Sequence, residues 1–141
     1  YEAEGNFKPG LKYAYYEAHV LEPEELDHLH PVETGILPNL TIDQRRREDY
    51  FGYIWRGFLD IPRDGIYTFS IKVNDKCVLY IDDKEFMRGG HKTVALKKGK
   101  YKVMEKYFQL GAKKFNIVSW KGPGIEEQEI PGSAFFHRDE N

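Results

Sequence analysis

The segment Ile61–Lys84, IPRDGIYTFSIKVNDKCVLYIDDK, narrows the choice of fold more than any other part of the chain. Tyr67, Phe69, Ile71 and Val73 alternate with Thr68, Ser70 and Lys72. A period of two puts the first set on the buried face of a strand and the second on the other face. Pro62-Arg63-Asp64-Gly65 opens the segment as a turn, proline presetting φ and glycine taking the positive φ that closes it. Asn74-Asp75-Lys76 reads as a polar corner that reverses the chain into a second strand, Cys77–Ile81, and Asp82-Asp83-Lys84 turns it again. The local pattern predicts a meander whose acidic corner either binds something or merely turns, loops being where a β-scaffold usually carries function.

The rest of the chain repeats this theme. Leu11–Glu17 alternates as a strand, and Tyr50–Leu59 is a longer one, apolar on both faces as suits the middle of a covered sheet. Glu85–Met87, Thr93–Leu96, Lys100–Phe108 and Phe115–Trp120 follow, with Lys97-Lys98-Gly99 predicted as a hairpin loop. Arg88-Gly89-Gly90-His91 reads as a loop, Gly122-Pro123-Gly124 as a stop, and Ser133–Phe136 as a brief extended segment. Glu22–Leu29 predicts only a short helical turn, with Pro23 early and acids in its first turn. His30–Thr41 reads as loop. Roughly eight short strands without a long helix predict an all-β fold, an antiparallel sandwich or barrel. No repeat of roughly 20–50 residues points to a solenoid or propeller.

Composition limits the function. The 141 residues suit one domain with a single core. Ten Tyr, nine Phe and two Trp fit pleated, half-buried surfaces. A formal charge of −2 lacks the basic excess of a nucleic-acid binder, so no nucleic-acid partner is expected. The lone Cys77 leaves no internal disulfide or cysteine-rich zinc site and reads as a small buried hydrophobe. No apolar run reaches the roughly 20 residues of a membrane span. The first residue is Tyr1 rather than Met, which suggests a segment of a longer protein.

Few residue groups carry chemistry. His28-x-His30, with His19 nearby, has metal-pair spacing, but Pro31 breaks the segment and solvated loop histidines are the plainer reading. Asn39-Leu40-Thr41 matches a glycosylation sequon. Arg45-Arg46-Arg47 is balanced by Glu48 and Asp49. Asp75, Asp82, Asp83 and Glu85 lie close in sequence, yet a tight meander offers no cleft for an acid/base pair, and no catalytic residue is expected. Asn74 beside Asp75 can bind Ca²⁺ or sugar hydroxyls through oxygen, or bond its own backbone as an Asx corner.

Set side by side, GLKYAYYE at Gly10–Glu17, YIWRGFLDIPRDGIYTFSI at Tyr53–Ile71, NDKCVLYIDDK at Asn74–Lys84, ALKKGKYKVMEKYFQ at Ala95–Gln109 and SWKGPGIEEQEIP at Ser119–Pro131 resemble the PA-fourteen domain, the anthrax protective-antigen type. The resemblance implies a jelly-roll-like β-sandwich over residues 10–137, after a linker at 1–9 and before a tail at 138–141. It also implies an extracytoplasmic setting, periplasmic, cell-surface or secreted. The ending SWKGPGIEEQEIPGSAFFH is similar to versions at the C-terminus of bacterial β-N-acetylhexosaminidases and related glycoside hydrolases. The implied role is a noncatalytic carbohydrate-binding accessory domain beside a catalytic domain of the same polypeptide. The alternative is a structural module packing on that neighbour without sugar. In lectin-active fungal adhesins of the family, two consecutive aspartates hold Ca²⁺, which binds the sugar. Here Asn74 and Asp75 stand at those positions and Lys76 replaces a common glycine, so Asp75 alone remains as an anionic metal ligand and no cofactor is expected. The candidate ligand-binding set is Asn74, Asp75, Lys76, Arg88 and His91.

Overall fold

A computed structural model describes residues 6–139. Its twelve strands are β1 (Phe7–Pro9), β2 (Leu11–Glu17), β3 (Glu33–Leu37), β4 (Phe51–Ile61), β5 (Gly65–Val73), β6 (Lys76–Ile81), β7 (Lys84–Met87), β8 (Gly90–Leu96), β9 (Gly99–Gln109), β10 (Asn116–Gly122), β11 (Ile125–Glu129) and β12 (Phe135–Arg138). They form an antiparallel β-sandwich. One sheet runs β1-β12-β4-β9-β6-β7, with β2 and β3 attached through β4; the other runs β11-β10-β5-β8.

The core between the sheets is aromatic. Trp55 on β4 stacks on Tyr53 at 4.9 Å with the planes 6° apart, and Tyr107 of β9 lies 6.0 Å away. Tyr67 and Phe69 of β5 come down onto this layer from the small sheet, both fully buried. The alternation of β5 is thus realised, with Thr68 and Ser70 half-buried and Lys72 exposed on the far side. Tyr50–Leu59 likewise becomes the middle strand of the large sheet. Only the first half of its second face is covered, where Leu26, from a 3-10 turn at Pro23–His28, packs with Ile54 and Phe108 on the outside of that sheet; Arg56 farther along is exposed. Glu22 and Glu25 close a capping box at the start of this turn.

Several expectations are corrected. Asn74-Asp75 does not join two strands of a meander: β5 belongs to the small sheet and β6 to the large one, so the corner carries the chain across the sandwich. Lys97-Lys98 is likewise no hairpin loop, since β8 pairs with β5 and β9 with β4 and β6. Alternation records which face is buried, and both sheets bury a face against the same core, so period alone does not assign a strand to a sheet. His30–Thr41 contains β3, whose backbone pairs with β2 although its side chains are mostly exposed. Gly122-Pro123-Gly124 reverses the chain into β11 rather than ending the sheet, with Gly124 at φ 72°. His91 and Lys92 lie within β8, not in a loop. Phe7–Pro9 is a strand and not a linker: Phe7 pairs with Arg138 and sets its ring edge-on to Phe58 at 5.0 Å. Arg138, assigned to the tail, closes β12. The remaining linker residues 1–5 and tail residues 140–141 lie outside the described residues.

Candidate functional site

The Asn74-Asp75 corner meets the connection between β9 and β10. The Asn74 side-chain amide donates to the carbonyl oxygens of Gly111 (3.2 Å) and Lys113 (2.6 Å). Oδ2 of Asp75 accepts from the Leu110 backbone N–H (2.6 Å) and from Nε2 of Gln109 (2.8 Å). Gln109 in turn accepts from the Tyr107 hydroxyl at 2.7 Å, so the corner is anchored to the core. Replacing Asp75 by Ala leaves the Leu110 N–H and Gln109 amide without this acceptor and is expected to cost about 1–3 kcal/mol in urea denaturation.

Leu110 links the corner to a second feature. Its carbonyl accepts from the backbone N–H of Tyr50 at 3.3 Å. Tyr50 sits at φ 58°, a left-handed conformation that a bulky side chain seldom adopts, and its carbonyl accepts from the Ala18 N–H at 3.0 Å. The ring remains 45% exposed and lies 5.1 Å from the imidazole of His19. Tyr50 and Asp75 are thus joined through the Leu110 backbone, which bonds each of them. Among the described residues, Oδ1 of Asp75 and Oδ1 of Asn74 receive no hydrogen bond, so the corner keeps two acceptors.

The other sequence candidates are placed differently. Lys76 pairs with Glu22 at 2.7 Å. Arg88 pairs with Glu85 at 2.9 Å and with Glu24, and these carboxylates raise its pKa while it lowers theirs. Lys76 thus fastens β6, and Arg88 the β7–β8 connection, to the segment at the 3-10 turn. His91 faces away, bonding Ser70 Oγ at 2.7 Å on the outside of the small sheet. The three arginines Arg45, Arg46 and Arg47 are paired with Glu48, Glu33 and Glu17 at 3.2, 3.4 and 3.5 Å and form a neutralised loop.

The corner offers a calcium ion few side-chain oxygens. Ca²⁺ takes six to eight oxygens, while Asn74 aims its amide nitrogen at the neighbouring loop and Asp75 commits one oxygen to N–H donors. No group of three or more His, Cys, Asp or Glu able to hold a metal occurs among the described residues. The carboxyl most perturbed by its surroundings is Glu105, pushed up to about 7 by burial, with a partly opposing hydrogen bond from Asn116. It is sealed between the sheets at 0% exposure and reaches no substrate. Burial also pushes the Cys77 thiol up, which leaves it inert.

The sequence model of the PA14 domain matches residues 7–134. The chain belongs to the PA14 domain family. Among solved structures, an anti-sigma factor domain-containing protein from Clostridium clariflavum superposes with a TM-score of 0.76 at 25% identity, covering 98% of this chain and 51% of that one. The Epithelial Adhesin 9 A domain of Candida glabrata, solved in complex with Galb1-3GlcNAc, gives 0.76 at 12% identity, covering 96% and 92%. A PA14 sugar-binding domain from an RTX adhesin gives 0.65 at 14% identity, covering 92% and 98%. This PA14 chain spans about half the length of the anti-sigma factor protein. No curated protein sequence matches it.

Tyr50 and His19 as a pair escaped the sequence reading of this PA14 domain. Tyr50 continues the aromatic run of β4 in sequence, but it precedes that strand, at φ 58°, and is exposed. A mixed-charge run directly before an aromatic, Arg45-Arg46-Arg47-Glu48-Asp49-Tyr50, was the available signal of a loop tip.

Proposed function

We propose that this domain is a noncatalytic carbohydrate-binding module, with Tyr50 and the Asn74-Asp75 corner as its sugar site. The exposed Tyr50 ring, tied through the Leu110 backbone to a corner with two free oxygen acceptors, carries the reading. An aromatic face packs against the C–H face of a pyranose, and paired acceptors take adjacent hydroxyls. PA14 relatives solved with Galb1-3GlcNAc, or described as sugar-binding, support it. Binding proceeds without Ca²⁺, because the protein's own N–H groups occupy the corner's inner side. The module is extracytoplasmic and serves a secreted glycoside hydrolase of the β-N-acetylhexosaminidase kind, holding the catalytic domain of the same polypeptide near glycan; the SWKGPGIEEQEIPGSAFFH ending supports that host.

Titration of the domain with galactosyl-N-acetylglucosamine disaccharides tests the site. Tyr50→Ala is expected to weaken binding about tenfold, the loss of one stacked ring, and EDTA to change nothing. Binding abolished by EDTA, or untouched by Tyr50→Ala, counts against this site. A second reading, a structural module packing on a neighbouring domain, is favoured by the inward bonds of Asn74 and the ion pairs of Lys76 and Arg88. Absence of binding to every glycan tried would leave that reading standing.

A further inference from the structure

The 3-10 turn Pro23–His28 covers only one half of the outer face of the large sheet. Beyond it, the pairing register lines up Lys12, Arg56, Met104 and Tyr80 in one row across β2, β4, β9 and β6. Phe58 and Lys102 lie opposite each other two residues along, in a parallel row. Together they floor an open groove of about 640 Å³. Among the described residues its lining carries Lys12 and Arg56, beside Lys102, which Asp83 holds at 3.0 Å.

Arg56 lies at the centre of this floor and is exposed. Among the described residues its hydrogen-bond partner is Sδ of Met104 at 3.8 Å, and no carboxylate lies within ion-pair distance. A guanidinium without a carboxylate is a fork for a planar two-oxygen anion. The neighbouring Tyr80 and Phe58 rings offer apolar contact beside that fork. A peptide finds little here, because recognition of extended peptides uses a sheet edge, whereas these backbone groups are committed to ladders on both sides. A hexuronic acid supplies both complements, a ring-borne carboxylate and an apolar pyranose face.

We infer that this groove is a second saccharide site that takes acidic sugars, the uronate carboxylate seated on Arg56. The inference rests on the carbohydrate-binding reading above and adds a class of ligand and a separate location.

Calorimetric titration with an oligogalacturonate and with its carboxyl-reduced, neutral counterpart tests it. The oligogalacturonate is expected to bind, more weakly at high salt, and the reduced sugar about tenfold more weakly still. Arg56→Ala and Arg56→Lys should each lose about tenfold, the second because it keeps the charge but loses the fork. Lys72→Ala, the same change of charge on the outside of the small sheet, should lose nothing. Unchanged binding in Arg56→Ala overturns the proposal, as does equal affinity for poly-glutamate. Failure of the oligogalacturonate while neutral disaccharides still bind overturns this inference alone; failure of every saccharide overturns both sites.

Discussion

Glu105→Gln is expected to abolish a fall in stability of about 3 kcal/mol that the native domain suffers between about pH 4.5 and pH 7. Glu105 lies between the sheets at 0% exposure. Asn116 Nδ2 donates to its Oε1 at 2.9 Å, while Oε2 finds no partner. Burial penalises the charged form and raises the carboxyl to about 7, above its value in the unfolded chain. Between those two values the folded protein holds a proton that the unfolded chain has released. The stabilisation is therefore complete below about pH 4.5 and is lost as pH rises through about 7. Glutamine keeps an acceptor for Asn116 and does not ionise, so the variant should overtake the native domain near neutrality. Urea denaturation of both proteins across this range isolates the effect as a difference, whatever other groups titrate. Parallel profiles would show that Glu105 meets water in solution.

Gly57→Ala is expected to destabilise the domain by at least about 3 kcal/mol, at the upper end of what overpacking costs. Gly57 lies where the neighbour of β4 changes from β2, through Lys12 and Arg56, to β12, through Phe58 and Phe136. A methyl group there would stand 2.3 Å from the Phe136 carbonyl oxygen and 2.7 Å from a Leu11 methyl. The first is backbone in a ladder and cannot swing aside, so the sheet itself must shift. Gly89→Ala is the control, for its added methyl meets nothing within 4 Å. Denaturation midpoints of the two variants should differ widely with similar slopes. Equal midpoints would mean that the seam between β2 and β12 yields more easily than its contacts imply.

The sequence made the strands of this sandwich legible and their partnerships illegible. Tyr67, Phe69 and Ile71 announced a buried face by period alone, and that face is buried. Nothing in the same residues said that β5 would pair with β8 and β10 rather than with β6, because pairing depends on residues far along the chain. Family resemblance supplied the architecture that period could not. The candidate site was legible as an address, Asn74-Asp75, but not as a geometry. The direction of the Asn74 amide is set by Gly111 and Lys113, and the left-handed backbone of Tyr50 has no mark in its own residue type. Glu105 was invisible for a related reason: between Met104 and Lys106 it looks like an ordinary surface acid until β9 is seen to turn it inward.

Between β4 and β10 only the β6–β7 connection stays within one sheet; every other link steps from one layer to the other. Such a chain has little to gain from its first local turns. The central ladder joins Phe51–Ile61 to Gly99–Gln109, and β1 finds its partner only in β12. Loop closure must be met before these pairings return any stabilisation, which places folding in the slow, millisecond-to-second range of all-β domains. The reciprocal is mechanical. With β1 bound to the last strand and β4 clasped by three others, the centre of the large sheet is tied to both ends of the described chain. A pull from a tethered ligand meets its firmest resistance at that centre, while the edge strands β3, β7, β8 and β11, each held on one side, give first.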